Sequence, residues 1–149
     1  MNIKEELLVE CKKYVNHRLQ TIQETISSNQ KALLSETKSS AGDKHETGRA
    51  MLQLEMEKAG QQLQNIELMQ TVLEKIDTSK ESSIVRLGSI IETEKVNYFL
   101  SISAGKISAC GKPYFAVSTA SPVGKQLLGK KENDVIKFNG LDICLQIVK

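Results

Sequence analysis

The chain has 149 residues, of which 40% are apolar, and it contains no Trp and only three Tyr and three Phe. Its 20 basic and 18 acidic side chains give a formal net charge of +2, far below the basic excess expected of a dedicated duplex binder. The scarcity of aromatic side chains also argues against a protein that reads single-stranded nucleic acid by base stacking.

The cysteines and the N-terminal residues bear on the cellular compartment. Cys11, Cys110 and Cys144 are an odd set at wide spacing, and with only two histidines in the chain they favour buried reduced thiols over disulfides or a zinc site. Charged residues interrupt the first ten positions, and no apolar run reaches the roughly 18 residues that span a membrane. We therefore expect a cytoplasmic protein with no membrane partner.

Two long helical arms are predicted in residues 1–77. Residues 3–34 lack Gly and Pro, and one helical stripe carries Leu8, Val15, Leu19, Ile22, Ile26 and Leu33, with the polar Asn29 at a seam position. Residues 46–76 repeat these steps of three and four, which are typical of a coiled coil, at Leu52, Met56, Ala59, Leu63, Ile66, Gln70 and Leu73. Each apolar stripe must be buried against another apolar surface, and the two stripes can bury each other. We therefore expect an antiparallel helical hairpin with its tip at about residues 36–46.

A second domain is predicted at residues 84–149, after a polar linker at residues 78–83. Residues 1–82 carry a formal charge of −2 and residues 83–149 carry +4, so this domain is the more basic part. Short β-rich runs occur at residues 89–93, 98–103, 115–119, 135–138 and 141–148. Asn139-Gly140 predicts a type I′ turn between the last two. The predicted fold class is therefore α+β, a helical hairpin followed by a small β-rich domain.

One short helix interrupts these strands. We expect Ser121 to cap it, Pro122 to occupy its first turn and Gly129 to end it. Its apolar face is predicted to consist of Val123, Leu127 and Leu128.

The run SPVGKQLLGKKENDVI at residues 121–136 resembles the C-terminal signature of the Gre family of bacterial transcript-cleavage factors. In that signature, Ser-Pro, a short helix and Leu-x-Gly-Lys precede an acidic residue and a valine-rich strand. The family has the same order of parts, and its β domain resembles the FKBP fold. The resemblance covers nearly the whole chain and implies binding to bacterial RNA polymerase.

A second match lies at the predicted hairpin tip, where Gly42-Asp43-Lys44-His45-Glu46 is similar to the family's Gly-Asp-x-x-Glu. By this resemblance, Asp43 and Glu46 are the catalytic carboxylates, which enter the polymerase's secondary channel, share a Mg²⁺ ion there and promote cleavage at the 3′ end of backtracked RNA. Carboxylates are ligands that Mg²⁺ prefers. The chain would be an accessory factor instead of an enzyme, with no cofactor or small-molecule substrate of its own. The same spacing also fits a helix capping box.

The residues after the tip acids depart from the family pattern. Thr47, Gly48, Arg49 and Ala50 stand where the family has Asn-x-Glu-Tyr. The departure leaves open a second function, in which the hairpin occupies the channel and modulates or inhibits transcription without cleavage.

Six cations are candidate partner-binding residues. Around the tip, Lys38, Lys44 and Arg49 can meet RNA phosphates or acidic channel walls, although ordinary solvated charge would also explain them. In the second domain the resemblance implies docking at the channel rim. The basic side chains free to meet a partner there are Lys125, Lys130 and Lys131.

Two enzymatic functions, prolyl isomerisation and acyl transfer, are further hypotheses, and the residue composition argues against both. An FKBP-like prolyl isomerase or chaperone needs an aromatic-lined pocket, for which the second domain offers only Tyr98, Phe99, Tyr114, Phe115 and Phe138. An acyl-transfer enzyme using Cys110 needs a base, and both histidines, His17 and His45, lie in the predicted hairpin.

Overall fold

Two long helices and a sheet follow one another in the chain. The computed structural model describes the backbone of residues 2–38 and 43–149 and the side chains of residues 2–35 and 47–149. The fold is α+β, as predicted, because a six-stranded sheet with one short helix comes after the helices. The chain divides into two compact units, Val15–Met69 (the helical unit) and Met1–Tyr14 with Gln70–Lys149 (the sheet unit). The sequence did not predict that helix ends belong with the sheet.

The helical unit contains most of α1 (Ile3–Lys38) and α2 (Asp43–Glu74). Its buried side chains recur at intervals of seven residues, at Val15, Ile22 and Asn29 on α1 and at Ala59 and Ile66 on α2. The intervening seam positions are half-buried, at Leu19, Ile26, Leu33, Leu52, Met56 and Leu63. This burial confirms the predicted stripes from Val15 onwards. A cavity of about 320 Å³ is lined by residues of both helices, including Ile22 and Ile66.

The first turns of α1 follow a different pattern. Asn2 and Glu5 form a capping box, in which Asn2 Oδ1 accepts a hydrogen bond from the Glu5 backbone N (2.8 Å) and Glu5 Oε2 accepts one from the Asn2 backbone N (3.3 Å). The expected seam residue Leu8 is only half-buried, whereas Leu7 and Cys11 are fully buried. The prediction was wrong here because this end of α1 packs against the sheet, where Cys11 Sγ lies 3.6 Å from Ser101 Oγ.

The sheet has the strand order β3-β4-β2-β1-β6-β5. Neighbouring strands are antiparallel except for β2 and β4, which are parallel. The strands are β1 (Ile90–Thr93), β2 (Asn97–Ser101), β3 (Gly105–Ala109), β4 (Lys112–Ser118), β5 (Val135–Phe138) and β6 (Leu141–Val148). All five predicted strands are present, but β3 was missed. The β5–β6 turn is as predicted, since φ is 53° at Asn139 and 75° at Gly140.

Both faces of the sheet are covered within the sheet unit, as the two-residue alternation of strand side chains allows. On one face, Leu100 and Leu145 form a buried cluster with Val123 and Leu127 of the short helix. On the other, Ser101 contacts Cys11 of α1. The start of α1 therefore packs against this second face of the sheet, where Cys11 is buried.

Candidate functional site

The short helix α3 (Pro122–Leu127) is held at its start by Ser121 and Gly124 of the family-like run and by Ser118, which precedes the run. Ser121 Oγ donates to the Ser118 backbone oxygen (2.7 Å) and accepts from the Gly124 backbone N (3.1 Å). Ser118 Oγ accepts from the Ser121 backbone N (3.1 Å). A Cβ at Gly124 would press into the Ser118 backbone oxygen, so the close approach requires glycine. The predicted Ser121 cap and Pro122 position are confirmed.

The end of α3 is joined to the strand-like segment at Val85. Gly129 has φ of +82°, as expected of a residue that ends a helix, and its backbone N donates to the Val85 oxygen (2.9 Å). The Val85 backbone N donates to the Lys130 oxygen (2.7 Å). The prediction that Leu128 faces the core was wrong, because its side chain is 47% exposed and the residue serves as the C-cap.

The predicted partner-binding cations Lys125, Lys130 and Lys131 lie on α3 or directly after it, and exposed apolar side chains lie in the same segment or pair with it. Lys125 and Lys131 are exposed and Lys130 is half-buried. Ile84 is exposed and forms an isolated bridge with Lys131, and exposed Leu128 ends the helix. We call these five residues the α3 face. Exposed bulky apolar side chains near cations are typical of a docking surface, whereas Ser121, which caps the start of α3, has a structural role.

The tip residues can be placed only in part. The carboxylates of Asp43 and Glu46 and the ammonium groups of Lys38 and Lys44 lie outside the side chains that the structure describes. Helix α2 begins at Asp43, and Arg49 is exposed on that helix. The arrangement of the two tip carboxylates therefore stays a prediction.

The three cysteines are all free thiols, but they differ in burial. Cys11 is buried as expected, and burial raises its pKa to about 11. Cys110 is exposed, contrary to expectation, because it lies in the β3–β4 turn. A hydrogen bond to Glu6 Oε2 (3.3 Å) raises the pKa of the Cys110 thiol. A raised pKa leaves less thiolate at neutral pH, which argues against Cys110 as a nucleophile.

The aromatic side chains of the second domain mostly fill its core. Phe99 and Tyr114 are fully buried and Tyr98 nearly so, while Phe138 packs against the cluster beneath α3. Phe115 alone among these five is more than one-third exposed, at 37%. Few aromatic rings are therefore left to line an isomerase pocket.

Sequence reasoning missed a cavity of about 460 Å³ in the sheet unit. Buried Lys4 and Tyr114 line it, together with Glu81 and Glu92. The available signal was the spacing of Lys4, which lies three residues before Leu7 on a helix and hence on the same face. A lysine on a buried face indicates a polar site within the protein.

Metal-binding clusters and membrane spans are not found among the described residues. No group of three or more His, Cys, Asp or Glu side chains in that part of the chain is placed to hold a metal ion. No described helix combines the length and apolar character needed to cross a membrane.

Comparison with known protein families found no matching family model, and no curated protein matched the chain.

Proposed function

We propose that this chain is a Gre-type transcription elongation factor. Its two helices form an antiparallel hairpin that enters the secondary channel of bacterial RNA polymerase, while the FKBP-like β domain docks at the channel rim. Asp43 and Glu46 then share a Mg²⁺ ion with the polymerase and stimulate cleavage of the 3′ end of backtracked RNA. The active site is that of the polymerase, and the chain acts in the cytoplasm as an accessory factor.

The observation that carries this proposal is the heptad burial along the helical unit. Helices α1 and α2 contain 36 and 32 residues, which at ~1.5 Å per residue correspond to about 54 and 48 Å. The seven-residue spacing of Val15, Ile22 and Asn29, repeated by Ala59 and Ile66, is that of a coiled-coil seam. A long, thin pair of helices suits a narrow channel and has little use in a self-contained enzyme.

The α3 face supports the docking part of the proposal. It combines the cations Lys125, Lys130 and Lys131 with exposed Ile84, which bridges Lys131, and exposed Leu128, all in the sheet unit. An interface of this composition combines apolar burial at its centre with charges at its rim. Docking there needs none of the residues that cap the start of α3, Ser118, Ser121 and Gly124, whose hydrogen bonds are made within the protein.

A channel blocker without cleavage activity is the second candidate. Arg49, which is exposed, stands where the family pattern has a glutamate, so the charge next to the tip is reversed. Blocking requires only shape, whereas hydrolysis requires correctly placed ligands. The departure from the family pattern at residues 47–50 is the observation that favours this candidate.

The test uses stalled, backtracked elongation complexes with radiolabelled RNA. Wild type should release short 3′ fragments, and Asp43→Asn and Glu46→Gln should each reduce the cleavage rate on the order of 100-fold while binding normally. Asparagine caps a helix as well as aspartate does. Asp43→Asn therefore separates a metal-ligand role from a capping role. The matched control is Glu55→Gln on exposed α2 surface, which should cleave like wild type.

Each other outcome selects a different function. Wild type that binds the polymerase without releasing fragments supports the blocker. Failure to bind polymerase excludes both candidates. Proline isomerisation above the uncatalysed rate would instead support the FKBP-like enzyme.

A further inference from the structure

The cavity in the sheet unit has the size of a small-molecule site. Its volume is about 460 Å³, within the roughly 300–1,000 Å³ of typical ligand pockets. The first residues of α1, residues 78–81 and strands β1 and β4 contribute to its wall, and Ile3 and Ile90 supply apolar surface. All of these segments belong to one compact unit.

The Tyr114 hydroxyl is the first feature of the cavity that points to a ligand. Tyr114 is fully buried and lines the cavity, and its hydroxyl has no hydrogen-bond partner among the described residues. A buried hydroxyl without a partner costs stability. Burial raises the pKa of Tyr114, with a further contribution from the negative charge of Glu92, so the hydroxyl stays protonated at neutral pH and can donate.

The Lys4 ammonium group is the second feature. Lys4 is only 7% exposed, and its Nζ donates to the backbone oxygen of Lys80 (2.6 Å). The Lys80 oxygen carries no formal charge, so this hydrogen bond does not neutralise the Lys4 ammonium group. An ammonium group has three donors, so Lys4 can donate to further acceptors. Burial lowers the pKa of Lys4, and the nearby Glu81 charge works in the opposite direction.

The charges of the residues that line the cavity are balanced. Lys4 and Lys149 contribute two positive side chains, and Glu81 and Glu92 contribute two negative ones. Lys112, whose Nζ lies 3.9 Å from Glu92 Oε1, is exposed and stands outside the lining. A ligand with a single charge would be repelled by one of the lining pairs, whereas a zwitterion matches both.

We propose that this cavity binds a small zwitterion of the amino-acid class. Its carboxylate accepts hydrogen bonds from Lys4, its ammonium group faces Glu92, and the Tyr114 hydroxyl makes a further hydrogen bond. A short apolar side chain lies against Ile3 and Ile90. Binding requires no polymerase, so this site is independent of the proposed transcriptional function.

The test is isothermal titration calorimetry on the full chain, with the common amino acids added one at a time. A subset should bind, while acetate and methylammonium, which each carry one of the two charges, should bind much more weakly. Tyr114→Phe removes only the hydroxyl and should weaken binding by roughly tenfold. The same variant should keep or raise the melting temperature of the free protein, because the hydroxyl has no partner to lose.

The matched control is Tyr98→Phe, which removes a hydroxyl from the opposite face of the sheet and should leave affinity unchanged. Lys4→Met should abolish binding while a circular-dichroism spectrum verifies the fold. The proposal is overturned if no amino acid binds, if acetate or methylammonium binds as tightly as the best amino acid, or if Tyr114→Phe binds like wild type.

Discussion

The helical unit and the sheet unit bury their apolar side chains in different ways. In the helical unit, burial returns once every seven residues along each helix, as at Val15, Ile22 and Ile66. In the sheet unit, Leu100 and Leu145 are fully buried because they join a cluster built from several strands and α3. The helical unit therefore buries a narrow seam along its helices, whereas the sheet unit buries a compact core.

The contrast shows that the long helices and the well-packed core belong to different units of the chain. A seam in which intervening positions are only half-buried removes little apolar area per residue, so the helices gain length at a low density of packing. The sheet unit contains most of the buried apolar side chains and includes the first turns of α1 and the end of α2. Both ends of the proposed hairpin are therefore anchored in the unit with the better core.

The greatest loss of stability is expected in the core of the sheet unit. Leu145→Ala removes a fully buried side chain and should lower the free energy of unfolding by about 2–5 kcal/mol. Leu141→Ala, on the same strand but 51% exposed, should change it by less than about 0.5 kcal/mol. Urea denaturation measures both values. Similar losses in the two variants would contradict the description of the sheet unit as a packed core.

A smaller loss is expected at Gly124, where the chain leaves no room for a side chain. Gly124→Ala forces α3 away from Ser118 and should cost roughly 1–3 kcal/mol. Its matched control is Gly60→Ala in the helical unit, where an added Cβ meets nothing within 4 Å. That control should stabilise by about 0.4–1 kcal/mol. A stabilising Gly124→Ala would show that the Ser118–Gly124 contact is not tight.

A weaker effect is expected at the seam itself. Asn29 is buried at a seam position, and its Nδ2 has no hydrogen-bond partner among the described residues. Asn29→Leu should raise the free energy of unfolding by about 1 kcal/mol, and it should also permit alternative pairings because a buried Asn sets register. Thermal unfolding and size-exclusion chromatography test the two parts. A lower melting temperature would mean that the amide has a partner that stabilises it.

The helices were predictable because their signal is local. A seam repeats every seven residues along one segment, so the positions from Val15 to Leu73 could be assigned from the sequence. The prediction failed at Leu8 because the neighbours of that part of α1 come from the sheet, far away in the chain. Which of Leu7 and Leu8 is buried depends on that contact and on nothing nearby in the sequence.

Strand β3 and the cavity were missed for related reasons. Residues Gly105–Ala109 read GKISA, in which only Ile107 has a high strand propensity. The β3–β4 turn uses Cys110-Gly111, with φ of 52° and 76°, where Asn-Gly or Asp-Gly would have been recognised. The Lys4–Tyr114 cavity joins residues more than one hundred positions apart. The α3 cap, in contrast, was predictable because its residues act within one turn.

An electron cryo-microscopy reconstruction of the chain bound to a backtracked elongation complex of a bacterial RNA polymerase would test the proposed function at its core. We predict that α1 and α2 lie antiparallel inside the secondary channel, with Asp43 and Glu46 beside the active-site Mg²⁺ and the α3 face against the channel rim. Density for the chain at any other site on the polymerase, or a hairpin whose tip acids point away from the metal, would contradict the proposal that these carboxylates support cleavage.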